Sequence, residues 1–162
     1  MQYLSYNFKE NEKTRKIFAC IFWILTALCM IMIFMFSAQN GKESQALSDG
    51  FSNMFLSFLN NIVDINIIRK FAHFFEYASL AFLSSTALFF TKKDYSCIWA
   101  LVLSVLYSIS DEVHQLFVPE RAGRVFDVFV DSSGAATGIL VFTLLLLFIN
   151  LIIIKSGRGK LK

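Results

Sequence analysis

A single proline, Pro119, stands in 162 residues, and charged residues make up only 17% of them. So little proline leaves long stretches in which nothing breaks a helix. So little charge, beside 56% hydrophobic residues, excludes an ordinary soluble domain, which would hold too much apolar surface against water. Lipid as solvent removes that difficulty. The chain has three cysteines, Cys20, Cys29 and Cys97, each inside an apolar stretch and none at zinc-ligand spacing. A thiol in such a setting behaves as a small apolar side chain. Only two histidines occur, so a bound metal would need mainly oxygen ligands. No serine or cysteine sits in a recognisable nucleophile motif, no cofactor is singled out, and no nucleic acid is expected as a partner.

What the chain has instead is long apolar runs, rich in its 19 phenylalanines. Four of them predict an all-α integral membrane protein with transmembrane helices at about 17–37, 71–90, 95–110 and 132–154, forming one domain over 1–162. The first run has an apolar core too long for a cleaved signal peptide, and no small-x-small site follows it, so it is read as a retained helix. A cytoplasmic N-terminus puts ten of the 15 basic residues inside with three of the 12 acidic ones, which gives +7 inside and −4 outside. The positive-inside rule therefore predicts N-in/C-in topology.

Between the first two spans, Phe51, Met54, Phe55, Phe58, Leu59, Ile62 and Val63 recur at three- and four-residue spacing. That stripe predicts an amphipathic helix at about 49–63, capped by Ser48 or Asp49. It would lie flat at the membrane surface or pack on the bundle, and in either case roof the outer ends of the spans. The last span opens on small residues, with Gly134 and Gly138 in a GxxxG step. Such a step admits a neighbouring helix backbone, within the monomer or across a dimer.

Two clusters carry chemistry. In the first, Lys70, His73, Glu76 and Tyr77 fall on nearly one stripe of the second span, His73 and Glu76 three residues apart. At 1.5 Å per residue they lie roughly 5–10 Å below the interface, a depth at which ionisable groups must face the bundle interior. In the second, Asp111, Glu112, His114 and Gln115 end the third span, with Asp111 and His114 again three apart. Arg121, Arg124, Asp127 and Asp131 follow, and the last three share a face if the fourth helix starts early. Both histidines thus lie on one side of the membrane, each one turn from a carboxylate.

The motifs KFAHFFEY (Lys70 to Tyr77), DEVHQLFVPER (Asp111 to Arg121) and DVFVDSSG (Asp127 to Gly134) resemble the signature blocks of VanZ-like membrane proteins. FSAQNG (Phe36 to Gly41), with Ser44 and Ser48 beyond it, is similar to the family's stretch after its first helix. Glu120 departs from the pattern, in which glycine commonly precedes the arginine, and this loosens the expected turn after Pro119. The resemblance implies a multi-pass protein of the bacterial plasma membrane associated with low-level resistance to teicoplanin, a glycopeptide antibiotic. An outward-facing polar site suits that association, because the antibiotic and lipid-linked cell-wall precursors are both found outside.

Two readings of the clusters stand open. In one, the site binds: Lys70, Tyr77, Gln115, Arg121, Arg124, Asp127 and Asp131 recognise a lipid headgroup, a cell-wall precursor or the glycopeptide. In the other it is a hydrolase or transferase on a lipid-linked envelope substrate, with His73 or His114 as general acid or base and Glu76, Asp111 and Glu112 orienting it or holding a metal. Against both stands a clamp, in which Lys70, Arg121 and Arg124 neutralise the acids and only hold helix ends together.

Overall fold

The computed structural model describes residues 12–39, 65–92, 96–119 and 121–158. They form four helices: α1 (Glu12–Ser37), α2 (Ile65–Lys92), α3 (Ser96–Gln115) and α4 (Val125–Arg158). Each contains a stretch long and apolar enough to cross a membrane, and no strand occurs among the described residues. The amphipathic helix expected at 49–63, and the stretch from Asn40 to Ser48, lie outside the described residues.

The contacts fix the directions of the helices. Arg15, at the start of α1, donates to the carbonyls of Phe90 and Thr91 at the end of α2, and Trp23 donates to the Thr91 hydroxyl. Ile33 packs on Tyr77, so α1 and α2 are antiparallel. On α3, Ser108 meets Asp131 of α4 while Cys97 meets Thr143, so these two are antiparallel as well. Helix α4 therefore runs parallel to α2, Gly134 lying beside Phe74 and Gly138 beside Ala78. The result is an up-down-up-down bundle with the start of α1 and the end of α4 at one end. At the other end α1 stops, α2 begins, α3 stops and α4 begins.

Helix α2 packs against all three others, and α1 touches α3 only lightly. Its contact with α4 uses both glycines of the GxxxG step. A Cβ at Gly134 would overlap the Phe74 carbonyl, and one at Gly138 the Ala78 carbonyl. The step is thus spent within the monomer, on close approach of two parallel backbones.

Small residues line the interior. Ala81, Ser84 and Ser85 of α2, Ala100, Ser104 and Ser108 of α3 and Ala135 of α4 are all fully buried. Hydroxyls of a spanning helix have no water to turn to. Thr26, Thr86 and Thr143 accordingly donate to the carbonyls of Phe22, Phe82 and Ile139 four residues back. The bulky residues point the other way: Leu28, Ile31 and Met32 on α1, and Leu144, Phe148 and Leu151 on α4, are more than half exposed, as a lipid-facing coat requires.

All four helices outrun the spans that hydropathy marks, α1 beginning at Glu12 instead of near Ile17. Helix α2 begins at Ile65 instead of near Phe71, α3 continues through Gln115 past Ser110, and α4 begins at Val125 instead of near Ser132. Hydropathy stops at the first charged residues, but a helix satisfies its backbone internally and need not stop there. With 34 residues α4 is about 51 Å long, beyond the hydrocarbon thickness of about 30 Å. The extra turns carry Lys70 of the first cluster and Asp111, Glu112, His114, Asp127 and Asp131 of the second.

Candidate functional site

Among the described residues, four cations and five acids stand at this end, and they arrive by different routes. Arg69, Lys70, His73 and Glu76 stand on the first turns of α2, while Asp111, Glu112, His114 and Gln115 stand on the last turns of α3. Helix α3 then tapers: the amides of Leu116, Phe117 and Val118 donate three residues back, to Val113, His114 and Gln115. After Pro119 the chain returns along α3, where Gly123 lies so close to the Glu112 carbonyl that a Cβ would overlap it. Here the Arg124 amide donates to Glu112 Oε2 at 2.6 Å. That contact seats the linker, and α4 starts one residue later, bringing Asp127 and Asp131 to the site.

The deepest group is Asp131, fully buried. Its Oδ2 accepts from the Ser108 hydroxyl at 2.7 Å, and its Oδ1 lies 3.7 Å from His73 Nδ1, too long for a hydrogen bond but within ion-pair range. His73 presents Nδ1 to the carboxylate, so the opposite ring nitrogen, Nε2, turns away from it. Ser108, Asp131 and His73 form a knot joining α3, α4 and α2. Ser108 was not among the residues singled out from sequence. It belongs to a buried stripe of α3 (Ser104, Ser108, Asp111, Gln115) whose three- and four-residue spacing was the available signal.

Nearer the rim, Asp111 is buried and accepts from Gln115 Nε2 at 3.3 Å. Glu112 is also buried; its Oε1 has no partner among the described residues, nor does Asp127 Oδ1. The imidazole of His114 stacks on Phe34 of α1 with ring centroids 4.7 Å apart, and its Nε2 is buried without a partner among the described residues.

The cations are placed differently from what a clamp requires. Arg121 donates from Nε to the Gln39 carbonyl and from Nη2 to the Phe36 carbonyl, both at 3.2 Å. These oxygens belong to the last turn and exit of α1, where carbonyls lack intrahelical partners and the helix dipole favours a cation. Burial, with Arg69 nearby, lowers the Arg121 pKa from its ordinary value, while Asp111, Glu112 and Glu76 oppose that shift. Lys70 lies over the Phe126 ring, 4.6 Å from its centroid. Arg124 contributes its backbone amide, and its side chain is exposed. Among the described residues, no lysine or arginine of this end forms a direct ion pair with an acid; the one pair there is His73–Asp131.

Of the residues expected at the site, His73 faces Asp131, Asp111 accepts from Gln115, Glu112 accepts from the Arg124 amide and Arg121 reaches the carbonyls of α1, all at the same end of the bundle. Tyr77 is fully buried against Ile33 and Leu80, 6.4 Å from the Tyr107 ring, and its hydroxyl has no hydrogen-bond partner among the described residues. His114 stands apart on the α1 side. Among the described residues, no three His, Cys, Asp or Glu side chains are grouped so as to hold a metal ion.

No curated protein matches this chain, and no solved structure does. A family model, described as VanZ/LLP1, matches residues 22–148, a stretch that contains most of α1 and α4 and all of the site. Four membrane-crossing helices, signature blocks gathered at one end and a match over most of the chain agree: this multi-pass membrane protein belongs to the VanZ/LLP1 family.

Proposed function

We propose that the charged end of the bundle faces outward from the bacterial plasma membrane and binds the polar part of a cell-surface lipid or cell-wall precursor, and that this underlies low-level resistance to teicoplanin. Outward orientation is supported by the basic residues at the opposite end, where both termini would be cytoplasmic. One observation carries the binding reading. Among the described residues, no lysine or arginine of this end pairs with an acid, so these charges are not consumed in a clamp. Acids buried at membrane depth are costly, and partnerless oxygens on Glu112 and Asp127 mark places where a ligand's donors would be taken up.

A catalytic reading has one specific observation in its favour. Asp131 faces His73 Nδ1, the way a carboxylate orients an imidazole whose other nitrogen then works as acid or base. Teicoplanin susceptibility of cells expressing Asp111→Asn, Arg121→Gln or His73→Gln, measured at matched protein abundance, tests both. Loss of protection in the first two supports binding, while a fully protective His73→Gln removes acid–base catalysis at that residue. Unchanged protection in all three overturns the site altogether.

A further inference from the structure

Where α1 and α3 barely touch, a groove of about 610 Å³ runs between them, floored by Leu88 of α2. Trp23 and Met30 line it from α1, and Trp99, Tyr107 and Ser110 from α3. Its wall is apolar almost throughout and its sides belong to the lipid-facing coat, since Trp99 and Leu106 are more than half exposed. From Trp99 to Ser110 the groove follows α3 for about 17 Å, comparable with half of a hydrocarbon core of about 30 Å. It is therefore as deep as one leaflet.

The groove does not end blindly. Tyr107 closes its wall by donating to the Met30 carbonyl at 2.6 Å, which ties the two helices together at that level. One turn beyond Ser110 on the same stripe of α3 comes His114, stacked on Phe34 with its buried Nε2 unpartnered among the described residues. Two residues beyond Phe34, the Phe36 carbonyl holds Arg121, whose Nη1 makes no hydrogen bond among the described residues. An apolar slot of leaflet depth thus leads to an imidazole and a guanidinium that each have a nitrogen to offer. Hydrocarbon below and two nitrogen donors above match one chemistry, that of a membrane lipid with an anionic headgroup.

We propose that one hydrocarbon tail of an anionic membrane lipid lies in the α1–α3 groove, with its headgroup at His114 and Arg121. This rests on the reading of the charged end as a binding site and names the class of molecule it takes.

Trp23 and Trp99 are the chain's two tryptophans, and both line the groove, so it reports its own occupant. The full chain is reconstituted in phosphatidylcholine vesicles containing a minor fraction of chain-brominated phosphatidylglycerol or, separately, chain-brominated phosphatidylcholine. Tryptophan quenching should show a preference of about tenfold for the anionic lipid, the worth of one hydrogen bond to a charged group. Narrowing the groove with Val102→Phe and Leu106→Phe should abolish the preference, and Arg121→Gln should reduce it. Leu144→Phe, on the lipid face of α4, should leave it intact. Equal quenching by the two lipids in the unmodified protein overturns the proposal, as does a preference that survives the filled groove. If the preference is absent while Asp111→Asn and Arg121→Gln still lose protection against teicoplanin, the groove assignment alone falls. If it is present while no variant alters susceptibility, the resistance role alone falls.

Discussion

His73 faces a carboxylate that no solvent reaches, while His114 lies on a phenylalanine ring and keeps a buried nitrogen without a partner among the described residues. The two occupy the same end of the bundle, each three residues from an acid in sequence, yet their surroundings differ in kind. His73 belongs to a knot with Ser108 and Asp131 that joins three helices behind the GxxxG contact, where removing a group leaves a buried partner stranded. His114 stands at the head of a lipid-facing groove, beside an arginine tied to backbone carbonyls. The contrast teaches that the neighbours of each imidazole set its role here. His73 meets an acid that is tied to Ser108 of another helix, whereas His114 meets an aromatic ring near the groove.

Changes that test this division should differ in size. The largest effect is expected from Gly134→Val: no rotamer relieves an overlap with the Phe74 backbone, so folded protein should be lost from membranes, as read by immunoblot and size-exclusion profile. Asp131→Ala comes next, leaving the Ser108 hydroxyl without an acceptor and costing about 1–3 kcal/mol, seen as a lower unfolding midpoint in detergent. Asp131→Asn should recover much of that, since an amide oxygen still accepts from Ser108. Arg121→Ala frees two carbonyls at the end of α1 and should cost about 1–3 kcal/mol as well as protection against teicoplanin. Arg121→Lys should restore neither fully, because an ammonium lacks the planar fork that reaches both oxygens. His114→Ala should lower the midpoint less than Asp131→Ala and yet reduce the anionic-lipid preference. A larger loss of stability from His114→Ala than from Asp131→Ala would erase the contrast. The smallest effect is expected from Lys70→Ala, about 0.5–1 kcal/mol for the contact with the Phe126 ring, measured by the same melts.

Much of this molecule was legible as a string of residues. The four spans followed from apolar runs, and both clusters followed from three-residue spacings on helices. The early start of α4 was anticipated as a condition for Arg124, Asp127 and Asp131 to share a face, and Val125 is where the helix begins. Helix ends were less legible, because charged residues hide a helix from hydropathy without ending it. Ser108 was missed because a serine among apolar residues looks like packing until an acid from another helix is found beside it.

Composition and periodicity by themselves determined that the chain lives in lipid, that it has four long helices and that both histidines and most acids gather at one end. These are one-dimensional properties, set by the length of apolar runs and the pitch of a helix. Only the tertiary structure decided which acid meets which histidine, that Gly134 and Gly138 serve α2, and that Arg121 reaches the carbonyls at the end of α1. Those pairings depend on the direction and closeness of helices distant in sequence. No spacing along one chain encodes that a gap is left between α1 and α3 while α2 and α4 are drawn together by glycine.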